Sequence, residues 1–187
     1  MTDWDARYRR GDYLSEEPHP LLVKFASTLL PARALDIACG AGRHALWLAE
    51  RGWCVTAVDY SKTAIAILEG RALERGLSID CRKADLEKHE FVIPPESYEL
   101  IVVINYLQRD LLPSIKAGLA PAGTAIIVIA LVDDNPNVKP MNPAYLLNPG
   151  ELRAHFRDWE RIYDFEGKPG GSASRRAAAE LVVRRPG

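Results

Sequence analysis

Apolar positions along the chain alternate between short runs of strand length and longer stretches with helical spacing, the pattern of an α/β fold around a parallel sheet. The strongest run, Leu100-Ile101-Val102-Val103-Ile104, is apolar throughout, as a central parallel strand buried on both faces requires. Thr124 to Ala130 is a second central strand, and further strands are expected at Ala34 to Ala38, Cys54 to Asp59 and Ile79 to Lys83. His19-Pro20 opens a helix with Leu22, Phe25 and Leu29 on one face, stopped at Pro31. A second helix runs from Arg43 to Glu50 and ends at Gly52. A third is capped by Ser61, carries Ile65, Leu68 and Ala72 inward, and closes at Gly76. A fourth turns Leu112, Ile115 and Leu119 inward before Pro121 and Gly123 break it.

Asp133 to Asn148 is a Pro- and Asn-rich stretch, and irregular segments of that length are usually functional or mobile. Asn148-Pro149-Gly150-Glu151 reads as an N-cap, a proline at N1 and an acid at N3, starting a helix that buries Leu152, Phe156 and Trp159. Two last strands, around Arg161 to Phe165 and Ala177 to Arg184, are joined by the Gly-rich turn Gly167 to Ser174, too short for anything but antiparallel pairing. Five parallel strands and a terminal hairpin, with no repeat or linker dividing them, predict one domain over residues 1–187.

Composition narrows the function classes. With 187 residues, 48% hydrophobic and 26% charged, the chain can bury a sheet covered on both faces. A formal net charge of −1 supplies no global pull toward nucleic acid or an anionic membrane. Cys39, Cys54 and Cys81 lack C-x-x-C spacing and each adjoins an apolar run, so free buried thiols are expected, with neither disulfide framework nor metal site. Met1 to Gly11 has no apolar signal-like core, and no apolar run approaches the length of a membrane span. A cytoplasmic protein is expected.

The candidate chemistry lies where the first strand meets the second helix, in Asp36-Ile37-Ala38-Cys39-Gly40-Ala41-Gly42. A strand-to-helix turn this tight needs glycine, and ligands of open α/β sheets bind at the carboxyl ends of the strands. Asp59 ends the second strand, where a carboxylate either accepts hydrogen bonds from a ribose diol or caps the next helix. Asp85 follows the third strand, placed to reach an adenine amino group with the Leu86 amide beside it, or to serve a turn. Asn105 and Tyr106 follow the fourth. Gly loop and acid together point to a nucleotide. Gly40-Ala41-Gly42-Arg43-His44-Ala45 also satisfies the dinucleotide pattern G-x-G-x-x-G/A, so NAD is the competing ligand. Asp36 decides against it, because a carboxylate there repels a pyrophosphate and suits the cationic ammonium and sulfonium of S-adenosylmethionine (SAM). The absence of a second domain to carry a hydride partner agrees.

Ala34 to Arg43, with Val58-Asp59, resembles the first two motifs of the class I SAM-dependent methyltransferases. The N-terminal Trp4-Asp5-x-Arg7-Tyr8, with Tyr13 and Glu17 to Leu22, is similar to small methyltransferases of the tellurite-resistance type. The resemblance implies a Rossmann-like seven-stranded sheet of order 3-2-1-4-5-7-6 with strand seven antiparallel. It implies SAM as cofactor and S-adenosylhomocysteine as product. It places Asp36 at the methionine end of SAM, Gly40 and Gly42 along the cofactor and Asp59 at the ribose; the cofactor-binding set expected with them is Ala38, Cys39, Arg43, Tyr60, Ser61, Asp85, Leu86 and Asn105. Ala38 departs from the family's glycine; at a strand end its methyl group is expected to be tolerated. Asn105-Tyr106-Leu107-Gln108 is not the Asn-Pro-Pro-Tyr type of motif, which argues against methylation of nucleic-acid bases.

The expected function is methyl transfer to a small acceptor, a chalcogen oxyanion or a thiol. The alternatives are a SAM-binding sensor or partner subunit without catalysis, and an NAD-linked enzyme. Tyr13, His44, Tyr106, Arg109 and Tyr145 are the candidates to approach the acceptor, although Arg109 also reads as a solvated helix start and His44 as a structural hydrogen-bonder. Residues 1–18, with Trp4, Tyr8 and Tyr13, form either a lid or a tail packed on the sheet, and residues 132–149 a substrate-side loop. Arg175 and Arg176 either attract an anionic substrate or make the hairpin edge polar. No catalytic base is assigned.

Overall fold

A computed structural model describes residues 3–136, 138–168 and 176–187. Seven strands form one sheet: β1 (Arg33–Ile37), β2 (Cys54–Asp59), β3 (Ile79–Lys83), β4 (Tyr98–Ile104), β5 (Leu119–Ala130), β6 (Glu160–Gly167) and β7 (Ala178–Arg184). Their order is β3-β2-β1-β4-β5-β7-β6. β1 pairs in parallel with both β2 and β4, so the chain changes direction across the sheet there, and the carboxyl ends of β1 and β4 are the switch point at which open α/β sheets bind ligands. β7 lies antiparallel between β5 and β6.

Alternate side chains on the central strands enter two separate cores. Leu35, Ile37, Ile101, Val103, Ile127 and Ile129 pack under α5 (Leu112–Gly118) and α6 (Glu151–His155). Ala34, Leu100, Val102, Ile104, Ile126 and Val128 pack under α2 (Pro20–Ala26), α3 (Arg43–Ala49) and α4 (Lys62–Glu74). The apolar runs of β4 and β5 follow from this, since residues 100–104 and 125–129 all face one core or the other. The short α1 (Trp4–Arg9) lies beside α4, with Tyr8 packed on Ala41 and Ala64.

Several local expectations need correction. β1 ends at Ile37, and Ala38 has φ +54, so it belongs to the tight turn rather than to the strand end. Leu119 is buried, but it opens β5, which pairs Leu119 with Tyr98, is interrupted, and resumes with Thr124 opposite Leu100. Ala122, at φ +61, and Gly123, where a Cβ would lie 2.8 Å from the Ala120 carbonyl, make that irregularity. α6 starts at Glu151, not at Pro149, because Gly150 adopts φ +80 and donates its N–H to the Glu166 carboxylate at 2.9 Å. Asn148 still donates its backbone N–H to Glu151 Oε2 at 2.9 Å, half of the expected capping box. Of the three thiols only Cys39 is buried, and Cys54 is exposed. Most of the Gly167–Ser174 turn, and Arg175, lie outside the described residues.

Left-handed backbone makes a signed prediction. An L side chain in that conformation costs about 1–2 kcal/mol, whereas glycine adds unfolded-state entropy of about 0.5–1 kcal/mol. Ala38→Gly is expected to raise the melting temperature slightly, by about 2 °C. Gly42→Ala, at φ +84 with a Cβ 2.1 Å from Leu68 Cδ1, is expected to lower stability by at least about 2 kcal/mol in urea denaturation. A stabilised Gly42→Ala, or a clearly destabilised Ala38→Gly, would contradict this backbone.

Candidate functional site

Five residues, 38–42, carry the chain from β1 to α3. Cys39 donates its N–H to the Val58 carbonyl at 3.0 Å, and Gly42 donates to Cys39 at 3.1 Å. Gly40 and Gly42 have φ of +56 and +84, which glycine adopts at no steric cost. Their open sides face protein. A Cβ on Gly40 would lie 2.4 Å from the Tyr8 hydroxyl, and one on Gly42 would strike Leu68.

Asp59 ties this loop to α4. One carboxylate oxygen, Oδ2, accepts the Gly40 N–H at 2.8 Å and the other, Oδ1, accepts the Ser61 N–H at 2.8 Å. The cap of α4 is Ser61 itself, whose Oγ accepts the Ala64 N–H at 3.1 Å. Asp59 is therefore a bridge between two backbone segments, not a helix cap. Burial pushes its carboxyl up, and the Ser61 and Gly40 amides pull it down.

Asp36 lies beneath the loop, 1% exposed, and its Oδ2 has no hydrogen-bond partner among the described residues. Burial first, opposed by the Ala45 amide, and then the nearby charge of Asp59 raise its carboxyl to about 8. His44 Nδ1 is 3.9 Å from Asp36 Oδ1, but burial and then Arg43 push His44 down to about 3, so the contact is between neutral groups and not an ion pair. His44 Nε2 is also unpartnered among the described residues. His19 accepts the Leu21 N–H on Nδ1 at 3.2 Å and is likewise held down by burial and by Arg43. Burial, followed by Asp36 and Asp59, keeps the Cys39 thiol protonated.

The loops after β3 and β4 are tied to each other. Asp85 caps the short turn Leu86–Lys88 by accepting the Glu87 N–H at 3.1 Å, and its Oδ2 lies 3.0 Å from the Lys88 ammonium. Burial raises Asp85, but Lys88 and the neighbouring amides outweigh it and hold the carboxyl below the usual range. Asn105, at φ +64, is exposed and donates its N–H to the Val128 carbonyl at 2.8 Å. The Tyr106 hydroxyl donates to Gln108 Oε1 at 2.7 Å, and Gln108 Nε2 donates to the Leu86 carbonyl at 3.1 Å. Gln108 thus links the two loops.

The other candidates are less closely gathered. Tyr60 is partly exposed beside Lys83, whose Nζ lies 5.9 Å from its ring centre. Arg109 opens a short turn with its side chain partly in solvent, as a solvated helix start does, but it also pairs with Glu151 through Nε at 2.6 Å and donates to the Ala144 and Leu146 carbonyls, so it fastens the 132–149 segment. Tyr145 is exposed on that segment. Arg176 donates to the Leu131 and Lys139 carbonyls. Tyr13 is exposed, with φ +59, and its hydroxyl accepts from Arg7 at 3.3 Å. The sequence reading had no role for Asp5, which accepts the Ser61 hydroxyl at 2.6 Å and the Thr63 N–H at 2.9 Å, or for Gln108 and Arg71, and it saw Glu151 as a capping acid, not as the partner of Arg109. Only the adjacency of Trp4-Asp5 to the aromatic pattern signalled any of them.

Two hollows of about 420 and 610 Å³ lie along β2 and β3 and share Thr56, Asp80 and Tyr98. Neither touches the glycine loop, where Tyr8 fills the space above Gly40. Chemistry, not depth, marks the loop as the candidate site: Asp36, with a buried oxygen that has no hydrogen-bond partner among the described residues, and the bridging Asp59 are both there, whereas Asp85 Oδ2, likewise without a hydrogen bond, has the Lys88 ammonium 3.0 Å away. Among the described residues no cluster of three or more His, Cys, Asp or Glu is placed to hold a metal, and no helix is long and apolar enough to cross a membrane.

A family model described as "Tellurite resistance protein TehB" matches residues 5–170. A relative from Haemophilus influenzae, named "Probable S-adenosyl-L-methionine-dependent methyltransferase TehB", is 30% identical over 165 residues, covering 81% of this chain and 56% of that protein. "Hemagglutinin 1" of Eikenella corrodens is 31% identical over 152 residues, covering 77% of this chain and 49% of that protein. The crystal structure of TehB from Haemophilus influenzae superposes with a TM-score of 0.79 at 25% identity, covering 96% of this chain and 66% of that one. The chain thus spans about half the length of the curated relatives it matches. With the strand order, the glycine loop and the match over residues 5–170, the chain belongs to the TehB family of class I SAM-dependent methyltransferases.

Proposed function

We infer that this chain is a methyltransferase that binds SAM at the glycine loop and passes its methyl group to a small-molecule acceptor. The observation that carries the reading is the pair of carboxylates on either side of that loop. Among the described residues Asp36 keeps one buried oxygen without a hydrogen-bond partner, in a place suited to a cationic ammonium. Asp59 uses its two oxygens on backbone amides and, as an ionised carboxylate with about four lone-pair sites, has capacity left for a ribose diol. Ala38, Cys39, Gly40, Gly42, Arg43, Tyr60 and Ser61 complete that side, and Leu86 and Asn105 the other. Asp85 is occupied by Glu87 and Lys88, so the Leu86 amide is the better candidate for an adenine nitrogen.

SAM, when bound, supplies a methyl group already activated on a sulfonium. The protein's own work is alignment and exclusion of water, and good orientation is worth about 7–11 kcal/mol. We assign exclusion to the N-terminal segment 1–18 as a lid and to residues 132–149 as the acceptor-side loop, held by Arg109. Tyr13, His44, Tyr106 and Tyr145 remain the acceptor-facing candidates; with its donors committed, Arg109 acts there through the loop. A chalcogen oxyanion or a thiol is the proposed acceptor, in a cytoplasmic protein.

Calorimetric titration is the direct test. SAM and S-adenosylhomocysteine are expected to bind and NAD is not; Asp59→Ala should weaken binding at least about tenfold, since hydrogen bonds to a charged group contribute about 1.5–3 kcal/mol. NAD binding without the other two would sink the reading. Formation of S-adenosylhomocysteine with selenite, tellurite or a thiol decides between an enzyme and a non-catalytic binder.

Asp36 predicts the pH dependence. With its carboxyl at about 8, the free protein holds it protonated at pH 6–7, and a cationic ligand end favours the ionised form. Binding therefore expels a proton, and affinity should strengthen by up to about tenfold per pH unit toward pH 8 and level off above it. His44, at about 3, stays neutral across this range. Asp36→Asn should bind weakly with a flat profile; an unchanged slope in that variant would assign the titration to another group.

A further inference from the structure

The glycine loop is also fastened from outside, by α4. The Arg71 side chain is largely buried, at 15% exposure. Its Nη1 donates to the Ala41 carbonyl at 3.1 Å, its Nη2 donates to the Leu14 carbonyl at 2.9 Å, and its Nε lies 3.3 Å from Glu16 Oε1. Ala41 stands between Gly40 and Gly42, both at positive φ, so fixing its carbonyl fixes the direction of the flanking peptides. Leu14 and Glu16 follow α1, whose Asp5 is bonded to Ser61 and Thr63 and whose Tyr8 covers Gly40. Arg75, one helical turn on, pairs with Glu16 and, at 2.6 Å, with Glu50 at the end of α3. The inner face of α4 is already filled by Ile65, Leu68 and Ala72, so its packing does not call for a long cation here. A guanidinium is a planar, permanently charged fork able to serve two carbonyls and a carboxylate together, which an ammonium on a flexible stem does not do.

We propose that Arg71 is a positioning residue that joins the N-terminal segment to the glycine loop, so that the two move as one body and cofactor affinity depends on both. The effect on affinity rests on the SAM reading given above; the coupling itself exists in the free protein. Closure of the N-terminal segment then sets the loop, and a loop shaped by a bound cofactor holds the segment closed.

Amide hydrogen exchange on the unliganded full-length chain tests the coupling. Arg71→Met is expected to accelerate exchange about tenfold at residues 40–42 and also within 5–14, leaving β4 unchanged. Arg71→Lys, which keeps the charge but loses the fork, should fall between Arg71→Met and the unmutated chain. Calorimetry should show the Kd for S-adenosylhomocysteine rising about tenfold in Arg71→Met, with kcat at saturating SAM much less affected, the split expected of a residue acting through the loop. Combining Asp5→Asn with Arg71→Met should cost less than the sum of the two, because both release the same segment. Faster exchange at only one of the two regions, or a lower melting temperature with an unchanged Kd, overturns the proposal. Failure of the unmutated chain to bind S-adenosylhomocysteine would defeat the SAM reading alone, since the exchange comparison still decides the coupling.

Discussion

The site is organised around the carboxylate of Asp59. Its two oxygens hold the amides of Gly40 and Ser61, and so set the spacing between the loop that leaves β1 and the helix that follows β2. Neither amide has an intrahelical partner to fall back on, and an orphaned buried donor costs about 1–3 kcal/mol. The same bridge places negative charge where two strands end and a helix begins, and it orders Ser61 to cap α4 through its own side chain. From there the connection runs outward: Ser61 to Asp5, Asp5 to α1, and Tyr8 back onto Gly40. α1 has only six residues, too few to hold a helix without such tertiary contacts.

The sheet was largely legible because the runs of β4 and β5 at residues 100–104 and 125–129 have to be apolar on both faces, and such runs stand out. β2 and β3 have the bounds read from the chain, and the order around the sheet agrees with the resemblance. Boundaries failed where a distant residue intervened. Glu166, on β6, takes the Gly150 amide and delays α6. The Arg109–Glu151 pair joins residues far apart in the chain, and no local pattern announces it. A reading by propensity sees each segment alone, whereas these positions are decided by what packs against them.

The glycine loop shows the same limit in another form. Gly40 and Gly42 mark a tight turn, and room for a ligand is the natural reading of their bareness. Positive φ at both is sufficient reason for glycine, and their open sides meet Tyr8 and Leu68. Glycine here admits protein closely enough to shape the loop, and the ligand argument passes from the glycines to the carboxylates. Ala38 makes the complementary point: it holds the same left-handed conformation without being glycine, strain that the surrounding hydrogen bonds of Cys39 and Gly42 sustain.

Asp36 sets the balance between stability and binding. Its carboxyl is raised from 3.8 to about 8 in the folded protein, by burial foremost. For a group raised in this way the favourable contribution is complete below the unfolded value of 3.8 and is lost progressively as pH rises through about 8. Near neutral pH the free fold therefore tolerates Asp36 at a net cost, with one oxygen unpaired among the described residues and the neutral His44 beside it offering no charge. A buried acid retained under such terms adds nothing to the free fold that an apolar residue would not add better. A cationic ligand removes the cost by supplying the missing partner, and stability and affinity then draw on the same interaction. On this argument the loop is kept destabilised at Asp36 in the free fold, and the contacts of Asp5, Tyr8 and Arg71 that fasten the N-terminal segment to it hold that arrangement in place.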